Sequence, residues 1–382
     1  MKAQRSLRIL LIGNYAPMRQ PSMLRFAELM QRLYTDAGHE VRLLQPPVVL
    51  GRLARSVEHG IGKWLGYWDR YVLFWFTLRR ALSWADVVHI CDHSSAMVVP
   101  WLRGKPHLVT CHDLLAIRSA QGDIAEHRVR FTGRLQQRWI LSGLRRAQRV
   151  VCVSRQTAHE LQQAAGMAAA KVSVVQNALN YPYTPMPQPE AMQRMSAMGL
   201  QPSLPYVLHV GGNDWYKNRP GVVRIFAELA KRPAYAAHHL VLVGKSWNED
   251  LADAVRSSGC AERIHAVFNA DNEALRALYS RADFLLFPSL AEGFGWPIAE
   301  AMACGCPVVT TGRAPMTEVG GDAVLYLDDP LDASGSARRI AQMLEARESL
   351  VHAGLAQAAK FNMAAMQAGY VAALARLVVE SV

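Results

Sequence analysis

Short runs of Val, Ile and Leu, each followed by a helical stretch, recur along the chain, and this alternation limits the fold more than any other feature. Residues 7–12, 41–44, 86–91, 108–111, 149–153 and 171–175 read as strands, mostly too apolar to leave either face in water. Strands of that kind, joined through helices, form a parallel sheet. Residues 181–189 then hold four prolines in nine positions, Pro202 and Pro205 follow, and the stretch reads as a linker with a short helix in it. The alternation restarts with strands at 206–210, 240–243, 264–268, 284–287, 307–310 and 324–327. Helices are expected near 217–231, 271–281, 297–304 and 334–350, and a largely apolar one at 362–380. The class is α/β, with doubly wound domains at 1–180 and 206–360, a linker at 181–205, and a helix at 361–382 packing back on the first domain. Ligands of such sheets sit at the carboxyl ends of strands, so the two domains are expected to face each other across a cleft.

The chain is 382 residues long, 51% hydrophobic and 19% charged, which excludes long disorder, collagen and coiled coil. The most suspicious apolar run, Tyr71–Leu78, is closed by Arg79 and Arg80, well short of a membrane span. Met1–Arg5 resembles a signal start, but Ile9–Ile12 is too short for its apolar part and reads as the first strand. The six cysteines form no Cys-x-x-Cys, and Cys304-Gly-Cys306 is too tight for a usual zinc pair. They read as core thiols, and the expected address is the cytoplasm.

Charge is segregated: residues 1–190 hold 25 Lys and Arg against 12 Asp and Glu, whereas residues 191–382 hold 17 against 19. The basic half is expected to face something anionic. Trp64, Tyr67, Trp68, Tyr71 and Trp75 fall at spacings of three or four beside Arg70 and Arg79, as one helical stripe would. Arg128, Arg130, Arg134, Arg138, Arg145, Arg146 and Arg149 follow in a second helical stretch. An anionic membrane surface is the expected partner, with a peripheral position on its inner face; an ordinary core helix with solvated arginines would look similar. No nucleic-acid recognition module is visible.

The segment 288–308 follows a strand and opens a helix. Gly293 and Gly295 allow a tight turn, Pro297 suits a first helical turn, and Gly305 ends the helix. Glu292 precedes that helix, and Glu300 is placed in its first turn, where it either serves a ligand or complements the helix dipole. Taken whole, Glu292-Gly-Phe-Gly, Pro297, Glu300-Ala-Met-Ala-Cys-Gly and Pro307-Val308 resemble the E-x7-E motif of the retaining glycosyltransferases of family 4, the group 1 glycosyltransferases of GT-B fold. Val207-Leu-His-Val-Gly-Gly with Lys217-Asn218, and residues 314–321, are similar to further parts of that family's donor domain. Thr110-Cys-His112-Asp113 and Val153-Ser154-Arg155 match landmarks of its N-terminal domain.

The resemblance implies two Rossmann-like domains and a nucleoside diphosphate sugar as donor. It implies that Glu292, with Gly293, Phe294 and Gly295, holds the transferred sugar, that Glu300 binds the ribose, that Lys217 contacts the diphosphate, and that His112 lies near the sugar and leaving group. Gly212 stands where many relatives have Arg, so either Arg219 takes that place or Lys217 acts without a partner. The first loop is Gly13-Asn14-Tyr15 rather than Gly-Gly rich, and Gly13 is the candidate phosphate contact there. No Asp-x-Asp occurs in the chain, so no metal or other cofactor is expected and protein cations take the leaving group's charge. The expected activity is retaining transfer of mannose, glucose or a similar sugar to a lipid-linked saccharide in cell-surface polysaccharide synthesis. The rivals are a soluble small-molecule acceptor and a catalytically dead sugar-nucleotide-binding scaffold. His89, His93, His107 and His112 lack metal-pair spacing and read as separate, and His209 reads as core.

Overall fold

The computed structural model describes residues 6–18, 21–54, 56–57, 60–124, 129–342 and 346–380, so Arg128 and residues 1–5 lie outside it. The chain divides into two units, one comprising residues to Asn180 together with those from Met363, the other Tyr181–Asn362.

In the first unit the strands are β1 (Arg8–Ile12), β2 (Glu40–Leu44), β3 (Val87–Ile90), β4 (His107–Cys111), β5 (Arg149–Cys152) and β6 (Val172–Val174). They pair in parallel in the order β2-β1-β3-β4-β5-β6. Ile9–Ile12, Val88, Ile90 and Val109 are buried, as continuous apolar runs in a helix-covered sheet must be. The helix Met363–Glu380 belongs to this unit. Tyr370 bonds Thr110 Oγ1 at 3.1 Å, and Gln367 donates to the Leu33 carbonyl at 2.9 Å. Residues 347–379 are long and apolar enough to cross a membrane by length and composition. The helix is interrupted between Ala358 and Met363, and the second helix buries Met366, Tyr370, Ala373, Leu374 and Leu377.

The second unit holds β7 (Tyr206–Val210), β8 (His239–Gly244), β9 (Ile264–Phe268), β10 (Phe284–Phe287), β11 (Val308–Thr311) and β12 (Leu325–Leu327). Their order is β12-β11-β10-β7-β8-β9, again parallel. The proline-rich stretch is part of this unit rather than a free linker. Its helix Gln188–Ala197 buries Ala191 and Met195, and Arg276 donates to the Thr184 carbonyl at 2.8 Å. The single helix expected at 334–350 is two, Ala333–Ala341 and Arg347–Ala358, and a helix at Glu249–Ser257 was not foreseen. All six cysteines are buried free thiols.

A long helix in the first unit runs Gly60–Tyr67, widens into a π-helical turn at Trp68–Leu73, and resumes at Phe74–Leu82. The wide turn puts Asp69 fully inside, where its carboxylate accepts from Tyr15 Oη at 2.7 Å and from the amides of Val49, Leu50 and Gly51 at 2.9–3.0 Å. The turn also shifts the helix face. Trp64 and Trp68 are exposed, whereas Tyr67, Tyr71 and Trp75, expected on the same stripe, are half-buried.

Candidate active site

In the second sheet β7 is the first strand in sequence and lies between β8 and β10. Strand order therefore reverses between β7 and β10, and the loops leaving their carboxyl ends border a topological switch point, the usual ligand crevice of such sheets. Those loops are residues 211–218 and 288–295, the two segments whose residues the sequence singled out. The Leu290 amide donates to the Tyr216 carbonyl at 2.7 Å and fastens one loop to the other. Asn218 adds to this, its side-chain amide reaching the Pro288 and Pro330 carbonyls at 3.2 and 3.3 Å.

Across this junction Lys217 Nζ lies 2.8 and 2.9 Å from the two carboxylate oxygens of Glu292. The side chains are 15% and 7% exposed, so the pair is largely withdrawn from water. The ammonium also lies 5.2 Å from the Phe287 ring centroid and 5.4 Å from that of Tyr216. The sequence reading gave Lys217 and Glu292 separate partners, phosphate and sugar. The structure gives them each other.

On β7 and in the segments that follow β7 and β10, several buried polar atoms lack partners among the described residues. Arg219, 2% exposed, donates through Nη1 to Asn213 Oδ1 and to the Lys245 carbonyl, while its Nε and Nη2 find none. Burial lowers its pKa. Ser289 Oγ is likewise buried without a partner. His209 donates from Nδ1 to the Leu286 carbonyl at 2.9 Å, which leaves Nε2 as an unoccupied acceptor. Burial pushes its pKa down to about 3, so the ring is neutral. A buried group without a partner costs free energy comparable to a lost hydrogen bond, so such atoms at the carboxyl ends of neighbouring strands suit a polar ligand. His209 is core, as expected, but its free nitrogen makes it more than filler. A Cβ on Gly211 would stand 3.0 Å from that nitrogen and 3.6 Å from Lys217 Cδ, so glycine lets the loop pass over both. Gly212 would tolerate a Cβ less tightly, 3.1 Å from Asp214 Oδ2.

The helix after Glu292 spans Trp296–Ala303, with Pro297 in its first turn. Gly295 starts it at φ +102°, a conformation that L side chains avoid. Because the helix begins there, Glu300 is its fifth residue and not in the first turn, so dipole complementation does not explain it. It is 6% exposed and accepts from buried Tyr279 Oη at 2.9 Å. Phe294 is buried edge-on against Phe361, with centroids 5.6 Å apart, and its neighbours Gly293 and Gly295 complete the turn.

The first sheet has its own switch point between β1 and β3. Gly13 follows β1, but its amide donates to the Leu44 carbonyl at 3.0 Å, extending the ladder instead of facing a ligand. Asn14 Nδ2 donates to Asp92 across the switch point. Asp92 also accepts from the Ser94 amide at 2.9 Å, and His93 Nδ1 lies 3.2 Å away. Burial works to raise the Asp92 pKa, but the bonds from His93 and Asn14 outweigh it and hold the group ionised. Sequence reasoning missed Asp92; the available signal was an acidic residue directly after a buried strand. His112 is buried, and its Nε2 donates to the Cys91 carbonyl at 2.9 Å. Burial lowers its pKa, so Nδ1 is the acceptor of a neutral ring. His89, by contrast, is pure interior, bonded to Tyr34 and Thr110, its pKa pushed to about 3 by burial. Among the described residues no group of three or more His, Cys, Asp or Glu could hold a metal ion.

Residues 195–360 match the model of the Glycosyl transferases group 1 family, and residues 25–181 that of Glycosyltransferase Family 4. The O-antigen chain mannosyltransferase B of Escherichia coli is 35% identical over 162 residues, 41% of this chain and 42% of its own length. The O-antigen chain mannosyltransferase RfbU of Salmonella typhimurium is 22% identical over 72% of this chain and 70% of its own. A D-inositol 3-phosphate glycosyltransferase of Nocardia farcinica is 29% identical over 75% and 65%. The chain thus spans less than half the length of the first of these relatives. Among solved structures, sucrose-phosphate synthase of Thermosynechococcus elongatus superposes with a TM-score of 0.71 at 22% identity, covering 99% of this chain and 100% of that one. Anabaena HepE in complex with UDP-glucose superposes at 0.70 and 17% identity, covering 97% and 100%. These likenesses show the GT-B fold of two Rossmann-like domains.

Proposed function

Since the chain belongs to the group 1 and family 4 glycosyltransferases, we propose that it moves a hexosyl residue, with retention, from a nucleoside diphosphate sugar to a saccharide acceptor. The observation that carries this reading is the Lys217–Glu292 pair that joins the two loops at the switch point of the second unit, with Arg219, whose Nε and Nη2 are unpartnered, opening the helix that follows the first loop. Two cations at a water-poor site suit a diphosphate, and a carboxylate beside them suits sugar hydroxyls.

In this reading the donor exchanges partners with the resting pair. Its diphosphate takes the Lys217 ammonium and the free N–H groups of Arg219. Glu292, so released, accepts from hydroxyls of the sugar. When the bond from the anomeric carbon to the phosphate oxygen breaks, the electron pair leaves with the nucleoside diphosphate, and both cations stabilise that charge without a metal. Ser289 Oγ and His209 Nε2 add a donor and an acceptor. Glu300, tied to Tyr279, is assigned to the ribose, as in the motif it resembles. In the first unit the polar edge of His112, Asn14 and Asp92 is the proposed acceptor side.

The names of the O-antigen relatives support mannose as the first sugar to test and a lipid-linked saccharide chain as acceptor. The D-inositol 3-phosphate glycosyltransferase likeness supports a second reading, a soluble phosphorylated acceptor. The test is a thermal-shift screen of nucleoside diphosphates and their sugars. A ligand at about 100 times its Kd should add roughly 2.7 kcal/mol and raise Tm by several degrees. No shift with any of them at millimolar concentration would end this reading.

A further inference from the structure

The long helix of the first unit exposes Ile61, Trp64, Trp68, Val72 and Phe76, of which Ile61 is 80% and Trp64 61% exposed. The helix Phe131–Arg146 exposes Phe131, Leu135 and Trp139 four residues apart, Phe131 at 71%. The two stripes meet where the Tyr71 and Trp139 rings lie 5.0 Å apart and Tyr67 bonds Gln136 at 3.2 Å. Large apolar side chains in such a row are not the ordinary scatter of a soluble surface.

Their setting is cationic. Lys63, Arg70 and Arg79 lie over the Tyr67, Tyr71 and Trp75 rings at 5.2–5.6 Å. Arg130, Arg134 and Arg138 are exposed beside the second stripe. Along 60–82 and 129–149 the one acidic residue is Asp69, and it is fully buried.

We infer that this two-helix face docks on an anionic lipid bilayer, with Trp64, Trp68 and Phe131 entering the headgroup region and the arginines resting on anionic headgroups. Aromatic and aliphatic residues together with cations, and no exposed carboxylate, fit an interface that is apolar below and negative at its surface. A second copy of this chain would bring cations against cations. A nucleic acid would engage the arginines but leave Ile61, Phe76 and Leu135 in water.

The test is co-sedimentation of the full chain with phosphatidylcholine vesicles, with and without phosphatidylglycerol at about 30%, at roughly 0.05 and 0.5 M salt. Binding is expected with phosphatidylglycerol at low salt, several-fold weaker at high salt. Trp64→Ser with Phe131→Ser should lower partitioning by about tenfold or more, and Arg134→Gln with Arg138→Gln should flatten the salt dependence. Should the first variant lose its native melting transition, brominated lipids decide: they quench tryptophan fluorescence of the unaltered chain if the inference holds, and leave it unchanged if not. No binding at low salt, equal binding by the Trp64→Ser, Phe131→Ser variant, or a solution dimer that this variant dissociates would overturn the inference. The face is in the first unit and the donor loops are in the second, so its failure leaves the sugar-nucleotide reading intact.

Discussion

Lys217 and Glu292, seventy-five residues apart in sequence, meet in a two-pronged ion pair, with Nζ 2.8 and 2.9 Å from the two carboxylate oxygens. Each is the other's partner, and this makes their substitutions asymmetric. Lys217→Ala leaves a 7%-exposed carboxylate without its cation, which should cost about 2–4 kcal/mol of stability as well as weaken nucleoside diphosphate binding. Glu292→Gln frees the ammonium, so nucleotide affinity should hold or rise while sugar transfer falls. Calorimetric titration of both variants with the bare nucleoside diphosphate checks this; equal losses of affinity would mean that the two residues do not exchange partners.

The Nε and Nη2 of Arg219 are buried and unpartnered, so its value is in a planar fork and not in charge alone. Arg219→Lys should weaken nucleoside diphosphate binding about tenfold, or ~1.4 kcal/mol. Inorganic pyrophosphate should stabilise the unaltered protein in a melting assay and this variant much less. An unchanged response would remove Arg219 from the site.

The buried histidines set the response to acid. His89 and His209 have folded-state pKa values near 3, pushed down by burial. The unfolded chain therefore takes up protons on both as pH falls below about 6.5 and the folded chain does not, so stability is lost on that side, at most about 1.4 kcal/mol per pH unit for each ring. His93, whose pKa is raised because Asp92 outweighs its burial, works in the opposite sense and offsets part of the slope. Urea unfolding at pH 7.5, 6.5 and 5.5 should show stability falling between the last two, with a shallower fall in His209→Asn.

The strands were legible because buried parallel strands are continuous apolar runs; 206–210, 264–268 and 284–287 were read with the bounds they have. Strand order was not, because no local pattern says that β1 lies against β3 or β7 against β10. That ordering brings Asn14 to Asp92 and Lys217 to Glu292, so the residues of the candidate site were visible singly and their pairing was not. Glu300 was read into the first turn because the helix was begun at 297; the left-handed Gly295 starts it one residue earlier, which makes Glu300 the fifth residue. The aromatic stripe was misdrawn because the π-helical turn at 68–73, which turns Asp69 inward, breaks the 3.6-residue period on which the spacing argument rests.

Turnover of a nucleoside diphosphate sugar at the Lys217–Glu292 crevice is what we propose for this protein. Its most direct test is nucleoside diphosphate release from purified protein with UDP- and GDP-hexoses, with a saccharide acceptor, with and without a chelator. We expect release with at least one donor, unaffected by the chelator and abolished by both Lys217→Ala and Glu292→Ala. Release that persists in both variants, or tight nucleotide binding with no turnover of any donor, would contradict it.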